Sequence, residues 1–219
     1  MIFVNFKTYQ EGTGGKALLL AKILEEVSHE AQIKIIPVVQ ATDIKEIVSQ
    51  VKLEVWTQKI DPVEFGAHTG SIIAEAVLED GALGTFLNHS EDKFVNFDEL
   101  AKASDRATQV GLKTLIFASD IAELEKVSSL KPTYIAYEPA ELVGSTTTSV
   151  TQAKPEVISQ ASEISKNSGI PLIVGAGVHT RDDVKKSIEL GAVGIAVATD
   201  IVKAQNPKQE LLDLIEGFK

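Results

Sequence analysis

The chain has 219 residues, 44% of them hydrophobic but only 5% aromatic, a formal net charge of −10 and no cysteine. That length suits one α/β domain with a sizeable, mostly aliphatic core, and the lack of cysteine excludes disulfides and thiolate metal sites. The acidic balance disfavours nonspecific nucleic-acid binding, which needs clustered Lys and Arg; it leaves room for a small anion held by one lysine and oriented backbone N–H groups.

Strand-like and helix-like segments alternate from the first residues onward. Ile2–Asn5 reads as a strand, Lys16–Ser28 as a helix, Lys34–Val39 as a strand and Ile44–Val51 as a short helix. Strand Glu54–Gln58 precedes helix Ser71–Leu78, strand Gly84–Leu87 precedes helix Phe97–Val110, and strand Lys113–Phe117 precedes helix Ile121–Leu130. Strands Tyr134–Tyr137, Leu172–Val174 and Val193–Val197 are followed by helices Pro155–Ser168, Arg181–Leu190 and Pro207–Phe218. The strands are β-branched or aliphatic with little polar alternation, the pattern of a parallel sheet covered on both faces. End signals support the helices. Pro155 suits a first turn, Gly111 and Gly191 suit left-handed caps, and Thr180 before Arg181-Asp182-Asp183 suits an N-cap with acids behind it.

Eight such β-then-α units of roughly 25–30 residues predict a (β/α)8 TIM barrel occupying residues 1–219 as one domain. Alternation by itself does not separate a closed barrel from an open doubly wound sheet. The longest apolar runs, such as Ile33–Val39, are too short to span a bilayer. The chain enters strand-like sequence at Ile2 with no basic, cleavable leader before it. The expectation is therefore a cytoplasmic protein with no membrane association.

In a barrel, function gathers where strands end and βα loops begin. That rule selects Asn5 and Lys7 after the first strand, where strand alternation would aim both side chains the same way. It selects Asn88-His89-Ser90-Glu91 after the fourth, with a short helix expected near Ser90 whose N-terminus disfavours an imidazolium. Glu91 is placed to pair with Lys7. After the sixth strand, Glu138 is a strand-end carboxylate under a loop that opens on Pro139 and reaches Gly144, a design suited to a proton-transferring base beneath a lid. Gly175-Ala176-Gly177 and Ala198-Thr199 end the last two strands, where small residues let a phosphate approach the backbone. His68 lies in a tight loop between Gly66 and Gly70 and reads as a structural or subunit-contact residue. His29 and His179 read as surface or cap residues, and the four histidines are too scattered for a metal site.

Taken in order, several segments resemble the triosephosphate isomerase family in its short, archaeal-type branch. They are Val4-Asn5-Phe6-Lys7-Thr8-Tyr9, Gln58-Lys59-Ile60-Asp61-Pro62 leading to Gly66-Ala67-His68-Thr69-Gly70, and Leu87-Asn88-His89-Ser90-Glu91. They continue through Tyr137-Glu138-Pro139-Ala140-Glu141-Leu142-Val143-Gly144, Val174-Gly175-Ala176-Gly177-Val178 and Val202-Lys203-Ala204. The resemblance implies interconversion of dihydroxyacetone phosphate and D-glyceraldehyde 3-phosphate, a small phosphorylated three-carbon substrate, without cofactor or metal. It implies Glu138 as the base, His89 as a neutral electrophile, Lys7 as the electrostatic partner of enediolate and phosphate, and Asn5 as an orienting group. Ser90 and Glu91 would support these. The lid from Pro139 to about Thr146 would offer an N–H near Val143 or Gly144, and Gly175, Gly177, Ala198 and Thr199 would frame the phosphate. The Gly66–Gly70 loop resembles the family's subunit contact, which implies a homodimer or homotetramer.

The chain departs from that pattern in three places. The lid reads Val143-Gly144-Ser145-Thr146-Thr147-Thr148 without a second glycine, Asp200 follows Ala198-Thr199 where glycine is common, and Lys93 stands where longer relatives often carry arginine. Asp200 either caps its own helix or faces the phosphate. A non-catalytic barrel binding a phosphorylated metabolite, or another phosphosugar isomerase or epimerase, are the competing readings. An aldolase would want a buried strand-end lysine, and a metal-dependent epimerase would want clustered His and carboxylates, which the strand ends lack.

Overall fold

The computed structural model describes residues 1–139 and 155–219. Eight parallel strands pair in sequence order and β8 returns to β1, so the sheet closes into a barrel. The strands are β1 Ile2–Asn5, β2 Ile35–Val39, β3 Trp56–Thr57, β4 Gly84–Leu87, β5 Lys113–Ala118, β6 Tyr134–Tyr137, β7 Leu172–Val174 and β8 Gly194–Val197. Between and after them run α1 Gly15–Ala31, α2 Ile44–Gln50, α3 Ala74–Glu79, α4 Phe97–Val110, α5 Ile121–Ser128, α6 Pro155–Ser168, α7 Arg181–Glu189, α8 Thr199–Val202 and α9 Pro207–Ile215. No helix among the described residues is long and apolar enough to cross a membrane.

Closure explains why the strands read as apolar on both faces. Every second residue points to the barrel axis: Phe3, Ile36 and Val38, Trp56, Phe86, Leu115 and Phe117, Ala136, and Ile173 form one buried cluster. Their neighbours Ile2 and Val4, Ile35 and Val39, Leu87, Ile116, Ile135, Leu172 and Val174, and Ile195 and Val197 pack outward against the helices. The outer layer is aliphatic, as the composition suggests. The interior is not. Phe3, Trp56, Phe86, Phe117 and Tyr134 meet largely edge-to-face, with Phe3 and Trp56 centroids 5.1 Å apart at 70° and Phe86 and Phe117 4.8 Å apart at 69°. A few aromatic residues thus fill the axis, where large rings in T-shaped contact suit a narrow, fully enclosed space.

The helix ends follow their sequence signals. Thr180 forms a capping box with Asp183, and the side chains of Asn96, Asp120 and Asn206 accept from the third amides of α4, α5 and α9. Each such cap contributes about 1 kcal/mol. Gly111 closes α4 with φ 92°, and α6 begins at Pro155. Two predicted boundaries shift. The helix expected from Ser71 begins at Ala74, because Ile72 is tied in an extended pair to Asp61: its N–H donates to Asp61 Oδ2 at 2.7 Å and its carbonyl accepts from Asp61 N at 2.8 Å. β3 shortens to Trp56–Thr57, with the Glu54 side chain before it bound to Lys34, Lys113 and the Trp56 indole N–H at 2.6, 2.9 and 2.9 Å.

Trp56 lies directly on Gly84 of the neighbouring strand. A Cβ built at Gly84 would fall 2.3 Å from Trp56 Cε2, inside the aromatic core where neither partner can yield. Gly84→Ala is expected to destabilise the barrel by about 1–3 kcal/mol. Urea unfolding followed by tryptophan fluorescence measures this; an unchanged midpoint would show that the interior repacks freely.

Candidate active site

The cleft at the C-terminal ends of the strands is lined by Asn5, Lys7, His89, Glu138, Gly177, Ala198 and Thr199, with Phe86 and Phe117 beneath them. Register explains much of this. Phe3 faces inward, so Asn5 does too, and inward Ala136 and Ala196 put Glu138 and Ala198 on the same face. The Glu138 N–H continues the ladder by donating to Ala118 O at 2.9 Å.

Two residues reach the cleft by breaking the alternation. Asn88 has φ 60°, a left-handed turn that asparagine tolerates better than most residues. Its side chain folds back to donate to Phe117 O at 3.0 Å and Glu123 Oε1 at 2.9 Å, and the next residue, His89, lines the cleft. Lys7 has φ 48°, and its N–H donates to Asn5 Oδ1 at 3.0 Å. Its position therefore comes from a tight turn beyond the strand end. Gln58, which sequence reasoning gave no role, braces that turn: its Nε2 donates to Lys7 O at 2.8 Å and lies 3.4 Å from Asn5 Oδ1. The available signal was its place two residues after inward-facing Trp56.

Glu138 is 8% exposed. Its Oε2 accepts from Ser90 Oγ at 3.1 Å and lies 3.4 Å from His89 Nε2. The imidazole packs edge-on against Phe117 at 5.0 Å. Its Nδ1 accepts the Glu91 backbone N–H at 3.2 Å, which leaves the ring proton on Nε2, facing the carboxylate. The helix expected near Ser90 is only a turn closed by Asp92 N to His89 O at 2.8 Å. A single amide, not a helix N-terminus, therefore sets the tautomer. Glu91 pairs with Lys7 as its position suggested, Nζ to Oε1 at 2.7 Å. A buried carboxylate, an N–H donor and an ammonium around one cleft are the parts needed to remove a proton beside a carbonyl and hold the resulting oxyanion.

Gly177, Ala198 and Thr199 line the far end of the cleft, and Thr199 Oγ1 is 3.0 Å from Tyr9 Oη. Gly175 sits behind Glu138 instead: a Cβ there would come within 3.1 Å of Glu138 Oε1. Val143 and Gly144, with all of the lid beyond Pro139, lie outside the described residues. The Gly66–Gly70 loop is exposed, as is Phe65 before it, and His29 lies on the surface. His179 corrects its reading as a surface or cap residue without partners: its Nδ1 contacts Asp200 Oδ2, and both residues line the cleft. Two loops that are distant in sequence bring them together, which no local pattern reveals. Asp200 accordingly does not cap its own short helix, whose N-cap is Ala198 without side-chain help.

Fold and cleft together define the class: a (β/α)8-barrel enzyme whose site opens at the C-terminal ends of its strands. The family model described as triosephosphate isomerase matches residues 1–218. The triosephosphate isomerase of Saccharolobus solfataricus is 42% identical over 216 residues, covering 98% of this chain and 94% of its own. That of Metallosphaera sedula is 40% identical, covering 99% and 95%, and that of Methanocaldococcus jannaschii is 38% identical, covering 99% of both. The chain belongs to the triosephosphate isomerase family.

Lys93 anchors the His89 turn from behind. Its Nζ donates to Glu123 at 2.8 and 2.9 Å and to Ser119 Oγ at 2.9 Å. Burial works against charge on Glu123, but Lys93, the Ser119 N–H and hydroxyl, and Asn88 outweigh it and hold the carboxyl down to about 2. A depressed folded value stabilises the protein above the ordinary 4.5, and that contribution is lost as pH falls through about 2. Glu123→Gln is therefore expected to be less stable than the native chain at neutral pH, with the difference narrowing from pH 4.5 towards 2. Denaturant titrations across that range check this; a gap independent of pH would remove the charge from the explanation.

Proposed function

We infer that the chain interconverts dihydroxyacetone phosphate and D-glyceraldehyde 3-phosphate by proton transfer through an enediolate. The observation that carries this reading is the approach of Glu138 Oε2 to His89 Nε2 at 3.4 Å in a cleft that Lys7 also lines. Family membership supports it over the full length of the chain.

In this mechanism Glu138 takes a proton from C1 of dihydroxyacetone phosphate. The electrons of that C–H bond form the C1–C2 double bond, and the carbonyl electrons move onto the C2 oxygen. His89 Nε2–H and the Lys7 ammonium stabilise that oxygen as charge develops, which is where fixed donors lower the barrier most. Glu138 returns its proton to C2, the C1 hydroxyl proton passes to the C2 oxygen, and the C1 carbonyl forms. Asn5 orients the substrate, and Ser90 holds the carboxylate between turnovers through its 3.1 Å hydrogen bond. Gly175 leaves the space that Glu138 occupies.

The phosphate rests against Gly177, Ala198 and Thr199, with Val143 or Gly144 donating from the lid as it closes. Closing loops of this kind exclude water, and that of the triosephosphate isomerases is itself a standard instance. Exclusion strengthens the charge interactions and limits loss of phosphate from the enediolate. Assembly into a homodimer or homotetramer through the exposed loop Gly66–Gly70 is part of the same reading, as is a cytoplasmic location. Light scattering over a range of concentrations tests the assembly: a mass of 23.5 kDa throughout would reject it.

Coupled-assay kinetics of the native chain and Glu138→Gln test the chemistry. The native chain is expected to isomerise glyceraldehyde 3-phosphate, and the variant to lose about 10²–10⁴-fold in kcat. Equal rates would remove Glu138 as the base, and no activity in either would favour a barrel that only binds a phosphorylated metabolite.

A further inference from the structure

His179 follows β7 and Asp200 lies in α8, after β8, so the contact between His179 Nδ1 and Asp200 Oδ2 joins two separate βα connections. Both residues line the cleft beside Gly177 and Thr199. This is the end where the proposed phosphate seat lies, and a carboxylate there would repel a phosphate dianion at close range.

The surrounding geometry fixes the ring rather than the acid. The His179 N–H donates to Asp183 Oδ2 at 3.2 Å. That carboxylate also accepts from Thr180 N at 3.0 Å and Thr180 Oγ1 at 2.8 Å, so the capping box of α7 holds the His179 backbone. The ring Nε2 is buried and has no hydrogen-bond partner among the described residues. Its Nδ1 is left to engage Asp200. The Asp200 side chain is 35% exposed, is not consumed in capping α8, and has His179 as its side-chain partner.

We propose that His179 is a positioning residue for the substrate phosphate: by donating from Nδ1 it ties up the Asp200 carboxylate and masks its charge beside the phosphate seat. This rests on the phosphate seat of the proposed function. With Nδ1 engaged by Asp200, His179 acts through that acid. The pair offsets the acid at position 200, and the clip joins the last two loops.

The test is a double-substitution cycle read by steady-state kinetics and, independently of turnover, by calorimetric binding of inorganic phosphate. His179→Phe keeps the ring volume without the N–H, and it is expected to raise KM and weaken phosphate binding by about tenfold while kcat changes less than about twofold. Asp200→Asn is expected to stay within about twofold of the native KM, and His179→Phe with Asp200→Asn to return to that value. The penalty of His179→Phe is expected to shrink as salt is raised, because released charges are screened. If the phenylalanine does not fold, His179→Ala enters the same cycle.

A penalty that Asp200→Asn fails to rescue, or one insensitive to salt, would overturn the proposal and leave the pair a loop staple. Unchanged phosphate binding in His179→Phe would overturn it as well. Inactivity of the native chain would instead count against the isomerase reading, while the phosphate titrations would still decide the role of His179.

Discussion

Closure of eight parallel strands into one ring is the constraint on which everything else depends. Once β8 pairs with β1, alternate side chains on every strand must point at a common axis. Along the barrel those positions are filled by Phe3, Trp56, Phe86 and Phe117 and cannot be polar. At the C-terminal rim the same positions fall on Asn5 and Glu138, just beyond the aromatic layer. The packed interior and this part of the cleft are thus two stretches of one register, while Lys7 and His89 enter by left-handed turns. The aromatic layer is also the floor of the site, since Phe86 and Phe117 line the cleft and Phe117 carries the His89 ring.

Polar groups at that rim are held by one another and by neighbours behind them. Gln58 and Asn5 fix the turn that carries Lys7, Glu91 positions its ammonium, and the Glu91 amide sets the His89 tautomer. Lys93, Glu123 and Asn88 brace the turn below His89. In a chain of net charge −10 this matters, because any carboxylate left loose near an anion-binding cleft weakens it. The acids closest to the cleft are each occupied: Glu91 by Lys7, Glu138 by Ser90 and Asp200 by His179.

The strand-and-helix order was legible because apolar runs, caps and glycines repeat at regular spacing. Glu138 and Asn5 were legible because both extend a strand whose inward residues can be counted. His89 and Lys7 could be placed in the right loops, but the reason they reach the cleft could not. Left-handed turns at Asn88 and at Lys7 itself depend on hydrogen bonds to Phe117, Glu123 and Gln58, which lie far along the chain. The pairing of His179 with Asp200 was hidden for the same reason. The aromatic interior was masked by composition: a 5% aromatic content says nothing about where those few rings collect.

The central claim is that one carboxylate, Glu138, carries a proton between adjacent carbons. The most direct measurement is conversion of dihydroxyacetone phosphate by the native chain in deuterium oxide, with the product read by proton NMR. A carboxyl group that exchanges its proton with solvent before returning it predicts glyceraldehyde 3-phosphate carrying deuterium at C2. Deuterium entering C2 as fast in Glu138→Gln as in the native chain would contradict the account.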